Sequence, residues 1–165
     1  MTTRILSMAI FSALLMTTAA VAYEPIISLP GEHLLIHPAG VTDEVLATRE
    51  QTDGEFGMII LGGPAGSGPG PSITHHRGSE TWYVLEGTYE FHVRDKTFEG
   101  GPGTFISVDV GTPHGFIAKT DGKLLVTFQP GGYEHFFMDW DKLGLQPGPE
   151  LGKLEESYGL TRPAP

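Results

Sequence analysis

The sequence predicts an all-β fold, a sandwich or barrel of short strands followed by short C-terminal helices. Three observations carry this reading. Apolar runs of about five residues recur roughly every 8–12 positions, the strand spacing of sandwiches and barrels. The 23 glycines and 13 prolines follow no Gly-x-y period, so they read as tight turns between those runs. After Gly132 the apolar period changes from that of a strand to that of a helix.

The elements follow in chain order. His33 and His37 flank Leu34-Leu-Ile36, an N-terminal strand ahead of a proline. Glu44–Arg49 and Glu55–Leu61 are the next two strands. Gly62 to Pro71 reads as a Gly/Pro-rich loop, with a strand beginning near His75 and His76. Thr81–Leu85 ends in a Glu86-Gly87 turn. Tyr89, Phe91 and Val93 then alternate with Glu90, His92 and Arg94, the pattern of a half-buried antiparallel strand. Gly100–Gly103 turns into Thr104–Val108, and Gly111-Thr-Pro113 turns into His114–Ala118. Lys123–Phe128 is the last clear strand, stopped by Pro130-Gly-Gly132. Tyr133, Phe136, Phe137 and Trp140 sit at i, i+3, i+4 and i+7, one face of a helix that caps the barrel or covers its edge. A second helix is expected from Glu150 to Tyr158, and Thr161–Pro165 should be loosely held.

The chain has 165 residues, enough for one domain of ordinary size. Residues 1–22 read as a secretory signal peptide: Arg4, the apolar run Ile5–Met16, and Ala20-x-Ala22. Cleavage after Ala22 would leave a single domain, 23–165, with its helical tail from about residue 133, in the periplasm or outside the cell. The apolar run is shorter than the roughly 20 residues that span a bilayer, so the mature form is expected to have no membrane span. Formal net charge is -10, and loss of Arg4 with the signal makes it -11. An excess of acid on this scale argues against nucleic acid as a partner, which needs a basic patch. The absence of cysteine excludes disulfides, thiolate catalysis, Cys-ligated zinc and iron–sulfur clusters. The loop at 62–71 lacks the Lys-Ser/Thr of a phosphate-binding loop, and neither Ser67 nor Ser79 sits in a nucleophile elbow.

Seven histidines remain as the chemical resource. His75, His76 and Glu80 cluster where one strand begins, and His114 opens another. Imidazoles and a carboxylate on neighbouring strands can converge on one ion inside a barrel. Successive strand residues point to opposite faces, so only one of His75 and His76 can point inward. His92 lies on the polar side of its strand and should face out; His33, His37 and His135 read as strand-end and surface residues.

These residues resemble the two motifs of the cupin superfamily, G-x5-H-x-H-x(3,4)-E-x6-G and G-x5-P-x-G-x2-H-x3-N. The chain reads Thr74-His75-His76-Arg77-Gly78-Ser79-Glu80, then six residues to Gly87. Its second region has Gly103, Asp109-Val110-Gly111, His114 and Ala118 at the matching spacing. The flanks look like the quercetinase-like branch of small single-domain cupins: Thr52–Phe56, His75–Glu80, Pro130–Glu134 through Phe137, and Tyr158-Gly159. The resemblance runs from about Gly31 to Tyr158 and implies a double-stranded β-helix, the jelly-roll barrel.

The resemblance also implies a metal site, from which this chain departs. With a four-residue gap before Glu80, the gap of the branch it resembles, the second motif histidine is His75 and the first falls on Ile73, which cannot ligate. With a three-residue gap the pair is Thr74 and His76. Asp109 replaces the second motif's proline and Ala118 its asparagine. The remaining set, His75, Glu80 and His114, has the composition of two-histidine, one-carboxylate sites that hold a divalent transition metal such as iron, manganese, nickel or zinc. Glu80 is then both ligand and candidate catalytic base, since a barrel interior can raise a carboxylate's pKa. Ile73, Trp82, Phe91 and Phe116 are the expected pocket walls for a small organic molecule. The implied activity is a dioxygenase-like oxidoreductase; the alternatives are a non-catalytic binding cupin with an empty site and a metal-free acid–base enzyme using His114 and Glu80. Homodimerisation is implied by the resemblance alone.

Overall fold

The computed structural model describes residues 24–163; the segment read as a signal peptide lies outside them. In chain order the strands are β1 (Leu34–Ile36), β2 (Asp43–Ala47), β3 (Gly57–Gly63), β4 (Gly70–His75), β5 (Ser79–Glu86), β6 (Tyr89–Val93), β7 (Lys96–Gly100), β8 (Phe105–Val108), β9 (His114–Ala118), β10 (Gly122–Gln129) and β11 (Leu160–Thr161). The helices α1 (Glu134–Leu143) and α2 (Pro149–Ser157) precede β11.

Strand pairing is antiparallel throughout and gives two sheets, β1-β2-β3-β10-β5-β8 and β11-β4-β9-β6-β7. Period-two alternation decides what each strand buries. Ile59, Trp82, Val84, Leu124, Val126 and Phe128 face inward from the first sheet; Tyr89, Phe91, Phe116 and Ala118 face them from the second. The layers interlock through aromatic rings, with Trp82 stacked 5.5 Å from Phe91 and edge-on 5.4 Å from Phe116. This is the sandwich-like barrel that the strand spacing led us to expect, in the jelly-roll form that the cupin resemblance implied.

Three elements escaped the sequence reading. β4 starts at Gly70, so the loop between β3 and β4 is shorter than the segment 62–71. β7, Lys-Thr-Phe-Glu-Gly, is an edge strand exposed along almost its whole length, so it carries no alternation to read. The tail is not loose where the structure describes it: Leu160 and Thr161 pair with His75 and Thr74, and Arg162 donates to both carboxylate oxygens of Glu155 and to the Pro69 carbonyl.

The helical tail is pinned to the barrel by one buried carboxylate. Glu134, at the start of α1, is fully buried and accepts the backbone N–H groups of Arg49 (2.8 Å) and Gly132 (2.7 Å). Gly57 makes room for it: a Cβ there would sit 1.8 Å from Glu134 Oε2. Phe136 then enters the core, and Tyr158 Oη donates to Asp139 at 2.6 Å to tie the two helices. No described helix is long and apolar enough to cross a membrane.

Candidate metal centre

β4, β5 and β9 each deliver one polar side chain to the barrel interior. On β4 the inward parity that buries Ile73 also buries His75, and Ile73 pairs with His114 across β9. On β5 it buries Glu80, Trp82 and Val84 together. His76, one residue on, points outward, is exposed and bonds Thr161 Oγ1 at 2.8 Å. That settles which of the adjacent histidines faces inward. Gly111 N–H donates to the His75 carbonyl at 2.8 Å, tethering the turn before β9 to the end of β4.

The three groups converge closely. Glu80 Oε2 lies 3.3 Å from His75 Nε2 and 3.0 Å from His114 Nε2, and one ligand atom from each residue falls within 4.8 Å of the others. All three side chains are buried. Their outer contacts fix their roles. His114 Nδ1–H donates to the Thr112 carbonyl at 2.6 Å, so in the neutral ring Nε2 carries a lone pair. That lone pair faces a carboxylate oxygen, an arrangement that needs a shared proton between the two or a metal ion. Trp82 Nε1–H donates to the other carboxylate oxygen, Oε1, at 2.6 Å and turns Oε2 toward the imidazoles. His75 Nδ1 is buried with no partner among the described residues, so this second ring lacks the outer support that His114 has. The donor set therefore fits a divalent transition metal, with one ligand held less firmly than the other.

The electrostatics correct one expectation. Burial does push the Glu80 carboxyl up, but His75, His114 and the Trp82 donor outweigh it and hold it below the usual carboxylate range. Burial lowers His75 despite the pull of Glu80. At His114 burial also acts downward, but the hydrogen bond that the ring donates to the Glu80 carboxylate, with that charge, prevails and the imidazole stays above its ordinary value. A carboxyl held low is in the ionised form that holding a cation requires.

The cluster opens into a cavity of about 880 Å³. Ile73, Trp82 and Phe116 line it as expected. Phe91 does not: it is completely buried behind Trp82 and Phe116, a layer deeper than the wall. Phe137 and Trp140 of α1 line the cavity from the helical side, with Tyr133 just before them. Tyr133 sets its ring centroid 4.3 Å from that of His75 at a tilt of 53°, and its buried hydroxyl has no hydrogen-bond partner among the described residues. The other histidines stay outside the cluster: His92 bonds Glu90 and Thr97, His33 bonds Glu44, His37 bonds Thr42, and His135 bonds Glu50.

Sequence reasoning missed the Trp82–Glu80 bond, although the signal was present in two inward residues spaced i, i+2 on one strand. It also missed Asp43, which the structure buries at the start of β2, one residue before the strand was expected to begin.

Residues 63–130 match the family model for the cupin domain, and they hold all of β4, β5, β9 and β10, the strands that build the site and its surroundings. The barrel has the cupin fold, and its central segment matches the cupin domain. Over 96 residues the chain is 29% identical to quercetin 2,3-dioxygenase of Bacillus subtilis (strain 168), an alignment covering 56% of the chain but only 28% of that enzyme. Among solved structures, KdgF from Halomonas sp. superposes with a TM-score of 0.58 at 17% identity, over 68% of this chain and 99% of its own. An RmlC-like cupin from Shewanella frigidimarina NCIMB 400 gives the same TM-score at 20% identity, over 68% of this chain and 96% of its own. At those identities the two structures bear on the fold alone.

Proposed function

We propose that this cupin domain is an exported, metal-dependent, dioxygenase-like oxidoreductase acting on a small organic molecule. The observation that carries the reading is the convergence of His75 Nε2, Glu80 Oε2 and His114 Nε2 at the floor of an aromatic-walled cavity. The 29% identity to a quercetin dioxygenase supports the reaction class. His75, Glu80 and His114 would hold the ion, one of iron, manganese, nickel or zinc. When bound, such an ion supplies Lewis acidity and coordination positions that a three-residue donor set leaves open.

The chain's own residues do the rest. The Thr112 carbonyl holds His114 in the tautomer that presents Nε2. Trp82 commits one Glu80 oxygen and frees the other for the cluster. Trp82, Phe116, Phe128 and Tyr133 exclude water and offer flat apolar surfaces to a ring-bearing substrate. Ile73 favours a second reading, a binding cupin without catalysis, because it occupies the position from which a further imidazole would reach the cluster.

Metal content separates the two. The full chain, purified without chelator or a histidine tag, is expected to carry near-stoichiometric transition metal by mass spectrometry. His114→Ala should lower metal affinity by at least the roughly 10–100-fold that loss of an outer-shell partner costs. A chain that is isolated empty and takes up none of the four ions on titration overturns the enzyme reading and leaves the binding cupin.

A further inference from the structure

A second acidic group lines the same cavity and has no task in the scheme above. Asp43 opens β2 with the inward parity of Val45 and Ala47 and is 2% exposed. Its one hydrogen-bonding partner among the described residues is the Gly62 N–H, which donates to Oδ1 at 2.9 Å. A carboxyl group has room for several partners, and a buried one left with a single bond calls for an explanation. The cavity supplies no counter-ion for it. Arg162 is the sole Lys or Arg among the described lining residues, and its guanidinium is forked onto Glu155. The walls near Asp43, including Leu61 and Pro38, are apolar.

Asp43 and the cluster lie at separate ends of this space. In the first sheet β2 is three strand positions from β5, roughly 14 Å across the strands, and the register sets Glu44 through Ile60 and Leu125 level with Tyr83, so Asp43 and Glu80 are separated along the strands as well. We propose that Asp43 is the specificity-determining pole of the cavity: it hydrogen-bonds a hydroxyl of an uncharged, elongated, largely aromatic ligand whose other end reaches His75, Glu80 and His114, and it rejects a carboxylate at that position. This deepens the proposed function and rests on its reading that the cavity takes a small organic molecule. Burial pushes the Asp43 carboxyl up to about 7, with Gly62 opposing and Asp141 adding to it. Near neutral pH the group can therefore both donate to and accept from a hydroxyl. A carboxyl so often protonated is a poor counter-ion for an ammonium, and the apolar walls add no further acceptors.

The test uses three probes of one shape: 4,4′-dihydroxybiphenyl, 4-hydroxybiphenyl, and 4′-hydroxybiphenyl-4-carboxylate, titrated calorimetrically into the full chain. The wild type should prefer the dihydroxy probe over the monohydroxy probe by roughly tenfold, with the carboxylate weakest. Asp43→Leu should abolish the preference for the second hydroxyl. Asp43→Asn, which keeps an acceptor for Gly62 N–H, should retain that preference and bind the carboxylate better than the wild type does. An unchanged hydroxyl preference in Asp43→Leu makes Asp43 a backbone anchor only and overturns the proposal. Where Asp43→Leu fails to fold, unchanged rejection of the carboxylate by Asp43→Asn does the same. No binding of any probe to the wild type also overturns it, while metal content measured on the same samples reports separately on the metal-site reading.

Discussion

The two oxygens of Glu80 have different partners, and this division sets what single substitutions should do. Trp82→Phe keeps the ring stack on Phe91 but removes the donor to Oε1. The carboxylate is then free to rotate, and metal affinity should fall about 10–100-fold by calorimetric titration. An unchanged affinity would show that the indole only fills space. Ile73→His asks the converse question. Ile73 lies directly across from His114 in the β4–β9 register, so an imidazole there enters the same neighbourhood. Metal affinity should rise at least about tenfold, the low end of what one supporting interaction is worth; no gain would mean that the inner face of β4 cannot present a further ligand. At this scale the sequence was informative where chemistry is rare. His75, Glu80 and His114 stood out because few residue types ligate metals. Asp43 did not stand out, because an aspartate before an apolar run looks like a strand end until the register puts its side chain inside.

Alternation made most elements legible and its failure explains the rest. β6 buries Tyr89 and Phe91 while leaving its polar residues at the surface, and its sequence says so. β7 lies next to it with its ladder satisfied but its side chains in water, so nothing in Lys96–Gly100 distinguishes it from a turn. α1 was visible from its aromatic spacing, yet its attachment was not, because Glu134 reads as an ordinary first-turn acid. The structure instead makes it the buried acceptor of two N–H groups, the distant Arg49 and the nearby Gly132, beside Gly57. Glu134→Ala leaves both donors short of a partner and should destabilise the domain by about 1–3 kcal/mol per orphaned group. Gly57→Ala should be damaging while Glu134 is present and much milder in the Glu134→Ala background, where the methyl has room. Urea midpoints of the two single variants and the double variant give the coupling directly; simple additivity would mean that the steric clash is relieved elsewhere.

For the molecule as a whole, acidity is both a boundary and a handle. With 20 acidic against 10 basic residues the chain carries a formal net charge of -10, which disfavours polyanionic partners. Inside the barrel the same chemistry makes stability depend on pH. Asp43 titrates near 3.8 in an unfolded chain and at about 7 in the folded one, so the native state holds its proton more tightly. Its ionisation therefore costs stability progressively as pH rises from about 4 to about 7, and the full penalty persists above that. Asp43→Asn escapes this penalty, so its stability relative to the wild type should climb across that window and then level off. A difference that stays flat from about pH 4 to about pH 8 would mean that the carboxyl is solvated after all. The bond between Trp82 and Glu80 has a consequence of another kind. An indole whose N–H is held by a carboxylate in a dry interior responds in its emission to any change in charge at that carboxylate. With Trp140→Phe removing the second tryptophan, the light emitted by Trp82 becomes an internal gauge of what the barrel holds, readable in real time without any attached dye.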